Sequence, residues 1–183
     1  MTLPNLISLG RLLAVPLVVW LLLAGDHAAA FWVFALAGVS DALDGFIAKR
    51  FDQASVLGRY LDPLADKALL VSIYIVLGVQ DVVPLWLVIM VVSRDILIIG
   101  AVLLSFTLDQ PIPIRPLLVS KINTLAQLAL AGWILAGLGF SLTPAEHQFD
   151  PTLFIMVAIT TVLSGGSYLV SWLRSMGAIG KAS

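Results

Sequence analysis

The sequence predicts an all-α integral membrane protein with six transmembrane helices and both termini in the cytoplasm. Three observations lead there. Only 11% of the 183 residues are charged while 60% are hydrophobic, whereas a soluble domain is about a quarter charged. Apolar runs of about 20 residues, long enough to cross a bilayer, recur six times. The basic residues all fall on or near one side of the resulting map. With mean hydropathy +1.05, the chain reads as a single membrane domain over residues 1–183. It has no cysteine, which excludes disulfide frameworks and thiolate metal sites.

The first run, Leu3 to Leu23, opens like a signal sequence. It has an early Pro and Asn, runs too long and lacks a clear small-residue cleavage site, so it is expected to remain as a span. The second, Ala28 to Arg50, follows the break Gly25-Asp26-His27 and ends on two basic residues. Phe51 to Val56 then leads into the third, Leu57 to Leu77, where Pro63 suits a first helical turn. The fourth, Val83 to Phe106, contains Ser93-Arg94-Asp95. Thr107 to Pro116 leads into the fifth, Leu117 to Leu138, and Ser141 to Pro151 into the sixth, Thr152 to Leu173. Trp20, Trp32, Trp86, Trp133 and Trp172 read as interfacial anchors or packing residues.

Six crossings put both termini on one side. Arg11, Lys49, Arg50, Arg59, Lys67, Arg94, Arg115, Lys121, Arg174 and Lys181 lie on or nearer that side, which the positive-inside rule makes cytoplasmic. The opposite loops carry Asp26, Asp81, Glu146 and Asp150, read as solvated acids. His27 and His147 lie in those loops and receive no catalytic role. A basic cytoplasmic side suits anionic lipid, and nothing in the sequence suggests nucleic acid binding.

Against this background four aspartates stand out. Asp41, Asp44 and Ala48 are spaced i, i+3, i+7, and Asp62 and Asp66 are spaced i, i+4, which places each set along one helical face. Counting back from Arg50, Asp44 lies about 9 Å and Asp41 about 14 Å below the cytoplasmic end of the second span. A carboxylate at a span's centre costs about 2.5 to 3.5 kcal/mol on insertion scales, and four together also repel, so the cluster needs cations. Oxygen-only donors suit Mg²⁺ or Mn²⁺. Two such divalent ions would balance the four charges and suit phosphoryl transfer. Gly45, Ala48 and Gly58 leave room for a ligand's close approach, or serve as small-residue helix contacts.

Together these residues read D-x2-D-G-x2-A-K-x8-G-x3-D-x3-D, which closely resembles the signature of the CDP-alcohol phosphotransferases, integral membrane enzymes of phospholipid synthesis. The family has Arg where this chain has Lys49, with Arg50 following. The resemblance implies the CDP-alcohol phosphotransferase fold and a reaction in which an acceptor hydroxyl attacks the lipid-side phosphorus of a CDP-linked donor, expelling CMP. It further implies that Asp41, Asp44, Asp62 and Asp66 hold the metals and that Asp66 is the catalytic base. Asp44, Gly45, Ala48, Lys49 and Gly58 would line the CDP site, and a homodimer is expected. The spacing alone does not choose which aspartate is the base.

Other segments bear on the acceptor. Asn5, Ser8 and Arg11 share one helical face and resemble the PN-x2-T-x2-R opening of the phosphatidylglycerophosphate and cardiolipin synthase branches; Arg11 either approaches a substrate phosphate or snorkels to the interface. Arg94 lies about 18 Å from Phe106 by helical rise, and an intramembrane charge marks function. A structural pairing with Asp95 is disfavoured because adjacent helical residues do not face each other, so Arg94 is expected to reach an acidic group on the substrate. Lys121 is a second candidate contact or an ordinary interfacial lysine.

The runs LDPLADK, VSIYIVLGVQDVVP, VSRDILII and LVSKINTLAQL resemble the eukaryotic-type cardiolipin synthase branch. That resemblance implies CDP-diacylglycerol as donor and phosphatidylglycerol as acceptor, the alternative acceptor being glycerol 3-phosphate. The expected location is a bacterial inner membrane, on the absence of an Arg- and Ser-rich transit segment, with the mitochondrial inner membrane as alternative. An ion-coupled transporter is the competing non-enzyme class; it predicts inverted repeats, which the sequence does not show.

Overall fold

In the computed structural model the described residues are 3–51, 58–107, 118–141 and 150–179, with side chains described for 9–40, 67–100, 118–141 and 150–170. Among them lie six α-helices and no strand: α1 Leu3–Leu23, α2 His27–Phe51, α3 Gly58–Val79, α4 Leu85–Thr107, α5 Leu118–Gly139 and α6 Pro151–Ile179. All six apolar runs are helices, five within two residues of the expected bounds at either end. The sixth continues to Ile179, six residues beyond Leu173. His27 is the first residue of α2 rather than part of a loop. Among the described residues, α5 and the stretch Pro151–Val170 of α6 are long and apolar enough to cross a membrane.

Helical periodicity decides which face each helix buries. On α3 the buried residues are Leu69, Leu70, Ile73, Tyr74, Val76 and Leu77; on α2 they are Ala30, Phe34 and Ala37, the i, i+3/i+4, i+7 pattern of one helical stripe. Val18, Leu21 and Leu22 of α1 and Leu130, Ala131, Ile134 and Leu135 of α5 complete most of the core. Helix α1 packs against α3 and α2, α5 against α6 and α2, and α4 against α6 and α3. Trp20, Trp32, Trp86 and Trp133 lie on the outside, with Trp32 edge-on to Phe31 and Phe140.

The turns remote from the acidic cluster are closed by backbone geometry. Gly25, at φ 79°, ends α1 with its amide donating to Leu22 and the Asp26 amide donating to Leu21, a left-handed cap that satisfies terminal carbonyls. Asp81, at φ 57°, does the same after α3, where the Val82 amide donates to Leu77. Gln80 donates its side-chain amide to the Leu22 carbonyl at 2.9 Å, fastening the ends of α1 and α3 together. Two of the loop acids also do more than solvate: Asp26 accepts from the Ala29 amide at 3.1 Å and Asp150 from the Thr152 amide at 2.9 Å, capping α2 and α6.

Helices α2 and α5 approach closely at Gly139. A Cβ there would lie 2.7 Å from Ala28 Cα and 2.8 Å from its nitrogen. Backbone cannot swing aside, so Gly139→Ala should force α2 and α5 apart and cost about 1–3 kcal/mol, read as a lower thermal unfolding midpoint. Gly132→Ala, whose Cβ would meet Phe34 Cε1 at an ordinary 3.5 Å, should be tolerated.

The Asp150 cap has a defined pH response. Hydrogen bonds from Thr152, the side chain's first and the backbone's second, hold the Asp150 carboxyl below the ordinary aspartate value. A depressed folded value means the cap is fully present above the unfolded-chain value and is lost as pH falls through the folded one. Hydrogen-exchange protection in the first turn of α6 should therefore fall below about pH 4. Asp150→Asn should remove that pH dependence.

Candidate active site

The buried stripes of α2 and α3 both run toward the four aspartates. On α2 the buried positions 30, 34 and 37 continue in the same register through 41, 44 and 48. On α3, positions 66 and 62 share the helical register of 69/70, 73 and 77. Asp41 and Asp44 are thus in helical backbone of α2, and Asp62 and Asp66 in that of α3. Asp44 lies seven residues before the end of α2 and Asp66 eight after the start of α3, about 10–12 Å of rise from the connection between them. The side chains of these four acids, and those at positions 5, 45, 48, 49 and 58, lie outside the described residues.

Three of the described charges, Lys67, Arg94 and Asp95, form a buried group, and Lys67 directly follows Asp66 in sequence. Lys67, the residue after Asp66, donates from Nζ to Asp95 Oδ1 at 2.9 Å, and Arg94 Nη1 donates to the same oxygen at 2.6 Å. Arg94 Nε and Nη2 donate to Ser164 Oγ at 3.2 and 2.6 Å, and Nη2 to Ser120 Oγ at 2.5 Å. Side-chain exposure is 3% for Arg94 and 1% for Asp95. One carboxylate oxygen therefore meets two cations, and the group ties α3, α4, α5 and α6 together.

This corrects the expectation that the adjacent Arg94 and Asp95 would not pair. Adjacent positions are about 100° apart around a helix, but the arginine side chain is long enough to fold back onto its neighbour when both lie on the buried sector. Each of its three guanidinium nitrogens has a protein acceptor, and Arg94 is a tie between helices.

Polar residues continue inward from this tie. Asn123 and Gln127, both fully buried, lie on the same stripe of α5 as Ser120; Asn123 Oδ1 accepts from Thr161 Oγ1 at 2.9 Å, and Gln127 donates to Thr161 at 3.3 Å. Tyr74 of α3 donates its hydroxyl to the Gln127 carbonyl at 3.1 Å. Such pairing is what polar side chains require inside an apolar bundle. The sequence signal for it was the i, i+3, i+7 spacing of Ser120, Asn123 and Gln127 in an otherwise apolar helix. Lys121, one residue away, is exposed and shares the outward sector of Leu118, Ile122 and Leu125. Arg11 is 4% exposed, so it sits within the bundle.

A sequence model of CDP-alcohol phosphatidyltransferase matches residues 1–173. The chain belongs to the CDP-alcohol phosphatidyltransferase family. It is 38% identical over 91% of its length to a rat protein named cardiolipin synthase (CMP-forming), covering 60% of that protein. It is 36% identical over 93% of its length to a Schizosaccharomyces pombe cardiolipin synthase and mitochondrial hydrolase fusion protein, covering 31% of it. A Bacillus subtilis CDP-diacylglycerol–glycerol-3-phosphate 3-phosphatidyltransferase is 31% identical over 91% of the chain and 92% of the relative. The chain thus spans three fifths or less of the first two relatives.

Members of this family are generally dependent on a divalent metal. The donor set here fits such a group: four aspartates on two helices, in registers that keep each pair on one face, with no cysteine thiolate in the chain. Among the described residues no other group of acids or histidines offers a metal site.

Removing one member of a buried ion pair leaves its partner uncompensated. Arg94→Ala should cost about 3 kcal/mol, measured by thermal unfolding. Lys67→Met should cost less, because Lys67 is 18% exposed and Asp95 keeps Arg94.

Proposed function

We propose that this protein transfers a phosphatidyl group from CDP-diacylglycerol to phosphatidylglycerol, forming cardiolipin and releasing CMP. The observation that carries this reading is the full D-x2-D-G-x2-A-K-x8-G-x3-D-x3-D pattern on α2 and α3. Its occurrence in a chain 36–38% identical to proteins named cardiolipin synthase supports the choice of acceptor. Glycerol 3-phosphate as acceptor is the second reading, favoured by the Bacillus subtilis relative, which the chain covers almost end to end.

In this reading Asp41, Asp44, Asp62 and Asp66 hold two divalent ions, Mg²⁺ or Mn²⁺, which when bound neutralise the carboxylates and stabilise charge on the phosphoryl oxygens. Asp66 takes the proton from the acceptor hydroxyl as its oxygen bonds to the lipid-side phosphorus. The bond from that phosphorus to the bridging oxygen breaks, and CMP leaves with the electron pair. Asp44, Gly45, Ala48, Lys49 and Gly58 line the cytidine and diphosphate site. Lys49 brings charge there without the planar fork of an arginine.

All six helices cross the membrane as one domain with cytoplasmic termini, supported by the basic residues on that side. The chain works as a homodimer in a bacterial inner membrane, the mitochondrial inner membrane being the alternative.

The test is CMP release by purified protein given CDP-diacylglycerol, a divalent metal and the two acceptors in competition. Turnover with phosphatidylglycerol is the expected result. Turnover only with glycerol 3-phosphate would transfer the protein to the second reading, and none with either would refute both. Asp66→Asn should fold and lose at least about 10²-fold in kcat.

A further inference from the structure

Lys67 is the immediate neighbour of Asp66 on α3, yet its ammonium lies on a different helix, 2.9 Å from Asp95 Oδ1. The bundle itself shows the alternative. On α4, Arg94 folds back to its adjacent acid at 2.6 Å even while Ser120 and Ser164 hold its other nitrogens, so a long basic side chain can reach the aspartate next to it. Asp95 is what draws Lys67 elsewhere. That carboxylate is 1% exposed, and its other cation, Arg94, is fixed by Ser120 and Ser164, so Asp95 cannot follow Lys67 if the lysine moves.

We infer that Asp95 is a positioning residue that keeps the Lys67 ammonium out of the carboxylate cluster, leaving Asp62 and Asp66 free to bind divalent ions. An ammonium among those carboxylates would neutralise one of them and compete directly with a metal ion. The inference rests on the reading of the four aspartates as metal ligands. It separates Asp95 from a simple helix brace, because a brace lost with Asp95 would not be restored by removing Lys67 as well, whereas a latch does damage only when the lysine is left behind.

The test is Mn²⁺ binding, read from the free-ion paramagnetic resonance signal, by the full chain in lipid nanodiscs without substrate. Asp95→Asn should weaken the Kd about tenfold, the size of one lost favourable charge contact. Lys67→Met alone should bind as tightly as the native chain or tighter. Asp95→Asn with Lys67→Met should return to within about threefold of native affinity. An Asp95→Asn protein within twofold of native, or a double variant as weak as Asp95→Asn, would overturn the inference. If Asp95→Asn does not fold, Lys67→Met alone decides: a Kd equal or tighter supports the latch, and one at least threefold weaker overturns it. Asp62→Asn and Asp66→Asn serve as controls. Native binding that survives both would refute the metal-site reading and the latch with it, whereas native binding lost in both but unchanged by Asp95→Asn would overturn the latch alone.

Discussion

A single carboxylate oxygen, Asp95 Oδ1, holds the charged end of this bundle together. Two cations converge on it, Lys67 from α3 and Arg94 from α4, and the arginine's remaining nitrogens reach α5 and α6 through Ser120 and Ser164. Inside an apolar helix bundle, a charge stays buried only where protein groups replace its hydration. The geometry therefore fixes more than four side chains. Because position 67 is held toward α4, the rotation of α3 about its own axis is set, and with it the helical register of positions 62 and 66.

The other end of the molecule is built on different physics. There the helices meet through apolar side chains and close backbone approach, with Gly139 against Ala28 and Gly78 against Val88, and the turns are locked by left-handed caps at Gly25 and Asp81. Packing of this kind tolerates little change in volume. The result is a tightly packed scaffold whose two acid-bearing helices, α2 and α3, extend from it toward the charged end.

The helices were legible in the sequence to within two residues at every end but that of α6, because apolar length and short polar breaks are strong signals in a chain with so few charges. The acidic register was legible for a related reason: four aspartates in apolar helices are costly, and their spacing is a property of one helix at a time. What could not be read was how residues pair across helices. The adjacent Arg94 and Asp95 do bond, contrary to expectation, since backbone angle alone does not describe the reach of a long side chain. Ser120 and Ser164 are ordinary residues in sequence and acquire meaning only when α5 and α6 bring them to one guanidinium. Asp26 and Asp150 read as solvated acids because capping depends on backbone geometry.

The charge lock also bears on how an acidic cluster can accept an anionic substrate. Lys67, Arg94 and Asp95 together carry one net positive charge in a region of low dielectric, where fields extend further than in water. In the proposed reading, two divalent ions balance the four aspartates and leave the site close to neutral before the diphosphate arrives. Lys49 and the locked net charge then offset the diphosphate's roughly two negative charges. A lysine that entered the cluster would offer the same charge but occupy a ligand position. Held at Asp95, it acts through its field and leaves the oxygens free.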